Sequence, residues 1–467
     1  MNVLEKYYLR LKTEVLQVKK GVFTKGTFAQ NFAFVFSGRA VTILMQVIFA
    51  PILARIYSPE AYGVFAFFTA VTTNIALIAT LRLEGALVLP HEEKEFRQLL
   101  KSVIIISLGF SLLVTIGSIL GKPLIDTYFD TRGLGVLIYF FGPVVFLLCL
   151  FQITTNWVTR NKAFKDAFHY GIPINAGSRI FNLIYGMLTK GAAVGLVLAD
   201  VLSKLVTVIV RARYILRTNF SFLKEPLGKA NFVKTIKKYR QFPLFDLPGN
   251  WINLFSSQLP IFLITAPFGP NPVGQLGFAM NLLDIPMGLL GSSVAPVFLQ
   301  KIAETQRTNP ADIGRITAGL FKRMFYLGLI PIALITVFGD VIFAWVFGQR
   351  WEMAGTFTAY LGVFYLMRLI SSPLSSIYVV LGKQHQLFIF QVGLFIGRLA
   401  ALLMGVLWMK DVLWTVLLFG IFNALAYMVL AFSILSMVKA HAVRLISKTV
   451  VAIAVVIGLL YLARTYL

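Results

Sequence analysis

His169-Tyr-Gly-Ile-Pro-Ile-Asn-Ala-Gly-Ser-Arg-Ile-Phe-Asn-Leu-Ile-Tyr-Gly-Met-Leu188 is a run of 20 residues with one arginine at its centre and no acidic residue. That length is what a helix needs to cross the hydrocarbon core of a bilayer. Asn175, Arg179, Asn182 and Gly186 recur at spacings of four, three and four, which places them on one helical face. A guanidinium facing lipid opposes insertion by about 2.5–3.5 kcal/mol. The stripe must therefore face water, a partner or a ligand, and the run reads as one wall of a polar cavity inside a helical bundle.

The rest of the chain repeats the pattern. With 58% hydrophobic and 13% charged residues and a mean hydropathy of +0.80, the 467-residue chain lies outside the range of soluble globular proteins. Apolar runs long enough to span occupy 28–54, 61–89, 102–120, 134–158, 169–188, 191–210, 243–268, 273–299, 317–339, 354–381, 386–408 and 412–436. A shorter run, 449–463, crosses a thin bilayer or lies partly in the interface. The fold class expected is an all-α polytopic membrane protein.

Six cations, Arg39, Arg82, Arg179, Lys204, Arg368 and Arg398, stand inside these runs, against four acids, Glu84, Asp200, Asp246 and Asp284. Positive charge is left over in the membrane interior, where an anion would be welcome. The other cations argue for orientation rather than for nucleic acid. Thirty of the 43 Lys and Arg lie on alternate connections that share the side of the N-terminus, and seven lie on the other. That asymmetry puts the N-terminus in the cytoplasm. Residues 1–27 alternate apolar and basic positions as an interfacial amphipathic helix does. The run after them is too long, and is interrupted by Arg39, for a cleavable signal peptide.

A basic connection, 211–242, divides the chain into an N-terminal lobe, 28–210, and a C-terminal lobe, 243–436, of six spans each, followed by a hydrophobic segment, 437–467. A shift of 211 residues superimposes Gly38 on Gly249, Tyr57 on Phe268, Pro59 on Pro270, Gly63 on Gly274 and Phe67 on Phe278. These matches point to a parallel duplication. The architecture expected is two pseudo-symmetric six-helix lobes around a central cavity, plus a short C-terminal thirteenth helix.

Further walls are readable in the same way. Asp246, Asn250, Asn253 and Ser257 share one face, as do Asn281, Asp284, Gly288 and Ser292. Arg368 is followed at helical spacing by Ser371, Ser372 and Ser375, and Arg398 stands seven residues from Gln391. The bland alternative is that Asn and Ser only hydrogen-bond between helices, a common membrane device worth about 0.6 kcal/mol per pair. Arginine, with five donors in a planar fork, asks for a carboxylate or phosphate. Asp200 and Lys204, four apart, can satisfy each other. His91, His169, His385 and His441 fall near span ends, away from a mid-membrane proton path. The lone Cys149 forms neither a disulfide nor a thiolate metal site within the chain. No H-E-x-x-H, G-x-S-x-G, P-loop or D-x-D motif offers chemistry, so an enzyme is not expected.

Pro51-Ile-Leu-Ala-Arg-Ile-Tyr-Ser-Pro-Glu-Ala-Tyr-Gly63, followed by Thr80-Leu-Arg-Leu-Glu-Gly-Ala-Leu-Val-Leu-Pro90, resembles the Wzx-type polysaccharide flippases. These belong to the multidrug, oligosaccharidyl-lipid and polysaccharide exporter superfamily. The resemblance implies alternating access and movement of an undecaprenyl-diphosphate-linked oligosaccharide from the cytoplasmic to the periplasmic leaflet of a bacterial inner membrane. Its implied partners are that lipid-linked saccharide, membrane lipid, and a polysaccharide polymerase with assembly proteins; nucleic acid is not among them. In that family a cationic cavity receives the acidic headgroup, which points to Arg39, Arg82 and Arg179, with Asn175, Asn182, Asn250, Asn253, Arg368 and Arg398 as further wall residues. No cofactor is expected. The energy source is the membrane potential, H+ or Na+, and Asp246 and Asp284 are the candidates for a coupling ion. Rival readings are a flippase for the peptidoglycan precursor, a multidrug exporter of the same superfamily, for which the cationic surplus is unsuited, and a membrane glycosyltransferase or polymerase, which would need an acidic site.

Overall fold

Proline and glycine mark several of the helix ends. The computed structural model describes residues 28–129, 134–218 and 229–466, apart from the side chains of 28–36, 39, 124–129, 218, 229–231 and 289–293. The expected interfacial helix at 1–27 lies outside the described residues, as do the side chains of Arg39 and Ser292.

Helix α1 (Phe28–Ile56) leads into α2 (Pro59–Ala79), which opens with proline in its first turn and the Ser58 hydroxyl accepting from the Ala61 amide at 3.3 Å. The run 61–89 does not continue as one helix. Leu81 and Arg82 adopt left-handed φ values of 51° and 60°, which interrupts the α-helical ladder, and Leu83–Val88 resumes as a 3-10 helix. After it come α3 (Glu93–Phe129), α4 (Phe141–Arg160), α5 (Phe164–Leu188) and α6 (Ala193–Thr218). The basic connection carries a short helix, α7 (Lys229–Lys238), and a π turn, Phe242–Asp246. The second half comprises α8 (Leu247–Phe268), α9 (Pro270–Thr308), α10 (Ile313–Phe347), α11 (Glu352–Leu374), the single turn α12 (Ile377–Val380), α13 (Gln384–Leu403) with its π extension Met404–Met409, and α14 (Val412–Met437). Last is α15 (Ala442–Thr465).

Ten of the described helical segments are long and apolar enough to cross a membrane. The chain is an all-helical multi-pass membrane protein. Helix α5 is not among the ten, because its polar stripe lowers its hydropathy below theirs. Helix α15 begins at Ala442, seven residues before the expected apolar run, since the turn containing Arg444 and Lys448 is already helical. Its 24 residues run along α10: Arg464 near its end pairs with Asp340 through Nη2–Oδ2 at 2.6 Å and Nη1–Oδ1 at 3.1 Å.

Between helices inside a bilayer, close packing rather than expulsion of water supplies the attraction. The tightest approach joins α2 to α9. A Cβ added to Gly63 would stand 1.9 Å from the Pro270 carbonyl oxygen, and one added to Gly274 would stand 1.7 Å from that of Pro59. Only glycine fits at either place. Glu60 accepts from Asn271 beside this crossing. At the same end of the bundle, the Arg350 guanidinium and the Trp351 indole both donate to the Ala54 carbonyl at 2.8 Å, and Gln275 bridges the Arg350 carbonyl and the Ala354 amide. Tyr62, Phe278, Phe343, Phe347 and Trp351 pack edge-on and tilted beneath them. This end, away from the basic connections, is closed.

Candidate functional site

Below that aromatic layer the polar faces of the helices meet. Asn175, Ser178, Arg179 and Asn182 of α5, with Asp200 and Ser203 of α6 and Gln46 of α1, line one cavity of about 240 Å³. A second, of about 370 Å³, is walled by Thr69 of α2, Ser257 and Gln258 of α8, Asp284 of α9, Arg368 of α11 and Arg398 of α13. Tyr62, Phe65, Phe278 and Asn281 line both, so the two chambers adjoin across a mostly aromatic partition. The first chamber belongs to the first half of the chain apart from Phe278, Asn281 and Leu282, and the second lies mostly in the second half.

The surplus of positive charge read in the sequence resolves into pairs and a remainder. Lys204 is engaged by both carboxylate oxygens of Asp200, one helical turn away. Arg368 donates to Asp284 Oδ1 at 2.9 Å. Arg82, turned by the left-handed break, stands 3.0 Å from Glu84 Oε1 and places Nε 3.0 Å from Asp246 Oδ2. One guanidinium thus faces two carboxylates, and Glu84 has no solvent exposure.

Arg179 makes no hydrogen bond or ion pair with a described residue, although it stands close enough to the half-buried Tyr62 to act on it electrostatically. Arg398 is only 4% exposed, and its partners are neutral: Nε donates to Asn423 Oδ1 at 2.7 Å and Nη1 to the Ser256 hydroxyl at 2.9 Å, with Tyr427 beside it. Each chamber therefore holds one cation without a described carboxylate partner. A guanidinium withdrawn from water loses several kcal/mol of hydration, which an anionic partner can restore.

The other expected wall residues divide. Asn175 and Asn182 line the first chamber; Asn182 Oδ1 is buried without a hydrogen-bond partner among the described residues, and so is Thr69 Oγ1 in the second. Unused acceptors of this kind suit hydroxyl donors. Asn250 does not line either chamber: it donates to the carbonyl and carboxylate of Asp246 at 2.8 and 3.0 Å, beside Arg82. Asn253 is exposed. Ser371 bridges α11 to the Tyr427 carbonyl of α14 at 3.0 Å, and Ser375 bonds back within its own turn, so these hydroxyls serve the bundle. Asn74, Gln258, Ser256 and Asn423 escaped the sequence reading. Asn423 carried a signal, as the one side-chain amide in the apolar helix α14.

On the basic side the connection is tied to the first half. Tyr239 donates to Glu95 at 2.7 Å, and Lys238 pairs with the same carboxylate. Burial and the neighbouring Glu95 push the Tyr239 hydroxyl well above its usual pKa, so it remains a donor.

Comparison with known proteins extends these observations. The fold matches the solved structure of "Lipid II flippase MurJ, inward closed conformation" with a TM-score of 0.63, at 15% identity over 93% of this chain and 97% of that one. An inward-facing multidrug resistance MATE family transporter of the MOP superfamily matches at the same TM-score, with 15% identity over 86% and 96%. Among curated proteins, the succinoglycan biosynthesis transport protein ExoT of Rhizobium meliloti (strain 1021) is 25% identical over 339 residues, which span 68% of this chain and 64% of that protein's length. Residues 52–355, which carry the α2–α9 crossing and most of both chambers, match the family described as "Polysaccharide biosynthesis protein", and the chain belongs to that family.

Proposed function

We propose that this protein carries a polyprenyl-diphosphate-linked saccharide from the cytoplasmic to the periplasmic leaflet of a bacterial inner membrane. The observation that carries the reading is the pair of cations left without acidic partners, Arg179 and Arg398, in adjoining chambers at the centre of a membrane bundle. A diphosphate cannot cross hydrocarbon, because its charges would lose their hydration. Forked guanidinium donors in a wet chamber replace that hydration, while amide and hydroxyl groups such as Asn182 and Thr69 meet sugar hydroxyls. The lipid tail stays in the bilayer beside the bundle.

The lobes 28–210 and 243–436 rock about an axis along the membrane normal, pivoting at the Gly63–Gly274 crossing and exposing the chambers to each side in turn. The positive-inside asymmetry assigns the basic connections to the cytoplasm and the closed aromatic end to the periplasm. An inside-negative potential favours outward movement of an anion by about 2.3 kcal/mol per charge per 100 mV.

The direct test is deletion of the gene followed by analysis of the cytoplasmic leaflet. The lipid-linked saccharide that accumulates there is the substrate, and its export should return with the wild-type chain but not with a chain carrying Arg179→Ala and Arg398→Ala. Export at the wild-type rate by that doubly substituted protein, inserted at normal levels, would refute the reading.

A further inference from the structure

Resting on the lipid-linked-saccharide reading, we infer that the saccharide itself is acidic: the diphosphate meets Arg179 in the first chamber, and a carboxylate on a sugar meets Arg398 in the second. The two uncompensated guanidinium groups line different, adjoining chambers. Tyr62, Phe65 and Phe278 stand between their chambers. A diphosphate is one compact group on one side of that partition, so it satisfies one of the two cations. The second cation asks for a second anion on the same ligand.

The surroundings decide which anion goes where. Arg179 stands beside Asn175 and Asn182, whose side-chain amides have hydrogens left for phosphate oxygens, while the Ser178 and Ser203 hydroxyls already donate to the Ala199 and Asp200 carbonyls. Arg398 stands among flat apolar faces: its guanidinium lies 5.8 Å from the centre of the Phe419 ring, and Phe364 and Phe65 line the same chamber. Aromatic faces suit the apolar faces of sugar rings, while Gln258, Ser257 and Thr69 offer partners to hydroxyls.

The neighbouring Arg368 shows what Arg398 lacks. Arg368 already has its carboxylate in Asp284, at 2.9 Å, whereas Asn423 and Ser256 hold Arg398 in place without neutralising it. Its Nε and Nη1 bonds orient the fork, and the hydrogens left on Nη1 and Nη2 can take a carboxylate end-on.

The test compares two short-chain polyprenyl-diphosphate disaccharides, one ending in a hexuronate and the other in the matching neutral hexose, binding to the purified full-length protein by calorimetry. A charge-assisted hydrogen bond corresponds to about tenfold or more in affinity, so the wild type should prefer the uronate by at least about that factor. Arg398→Gln should bring the ratio to about one, and Arg398→Lys should keep part of the preference. Arg179→Gln should weaken both ligands in parallel and leave the ratio alone. Binding of the neutral ligand by Arg398→Gln also reports that this variant is folded. Equal affinities in the wild type, or a preference that survives Arg398→Gln, would overturn the acidic-saccharide inference while leaving the lipid-linked-saccharide reading in place. Failure of the wild type to bind either ligand would remove both.

Discussion

Arg82 is held from two sides, and its loss is felt in the carboxylates it leaves behind. Glu84 has no exposure, and its Oε2 has no hydrogen-bond partner among the described residues. Arg82→Ala should therefore destabilise the protein by about 3–5 kcal/mol, the range for an uncompensated buried charge. Adding Glu84→Gln should recover a large part of that loss, and thermal unfolding of the two variants in detergent checks the order. Arg179 differs, because no described carboxylate depends on it. Arg179→Ala should leave the unfolding temperature nearly unchanged and reduce flipping in proteoliposomes, with Arg179→Lys between Ala and wild type, since lysine keeps the charge but not the fork. The distinction between Arg82 and Arg179 was not readable from the chain. Both are arginines inside apolar runs, and only the left-handed turn at Leu81–Arg82 delivers one of them to Glu84 and Asp246.

Helices α2 and α9 touch where neither has a side chain, which makes their crossing intolerant of a single methyl group. Gly274→Ala would bring Cβ onto the Pro59 carbonyl and must push the helices apart. Overpacking of this kind is worth about 1–3 kcal/mol, taken here from the state closed at the aromatic end. In a Cys149→Ser background, a cysteine at Asn281 should become reactive to an impermeant thiol reagent from the periplasmic side when Gly274→Ala is added, and should be protected without it. Equal reactivity in both would remove the crossing from the closure. At this scale the sequence is a good guide to the presence of helices, because a bilayer demands a long apolar run and each of the thirteen runs falls on a helix. It is a poor guide to their breaks. The left-handed pair Leu81–Arg82 is made of residues that would serve equally well in an unbroken helix, and the π turns at Phe242–Asp246 and Met404–Met409 hold Pro243 and Gly405, residue types that α10 carries at Pro331 and Gly328 without a break. The stripe Asn175, Arg179, Asn182 was legible because a period of 3.6 survives any tertiary context. Asn250 was misplaced for the complementary reason: it shares a face with Ser257, yet two turns along the helix separate a cavity wall from a partner of Asp246.

For the molecule as a whole, orientation and movement are open to chemical tests. If the basic connections face the cytoplasm, as the excess of Lys and Arg argues, a cysteine replacing Lys229 should be modified by an impermeant reagent only from that side. If the lobes rock, the ends of the run containing α2 and of α9 on the basic side should approach when the chambers open outward. Cysteines replacing Leu89 and Leu299, both exposed here, should then crosslink, stop transport and release it on reduction. Full transport in a completely crosslinked sample would rule out rocking. The crossing of α2 with α9 has a further consequence, for ancestry. Gly63 lies against Gly274 and Glu60 binds Asn271, and in both cases the partners are 211 positions apart, the shift that superimposes the halves. Residues that meet their own equivalents lie on a two-fold axis, as in an isologous homodimer. If the two halves arose by duplication, the ancestor was a single lobe working as a symmetric pair, in which any substitution at this glycine struck the interface twice at once.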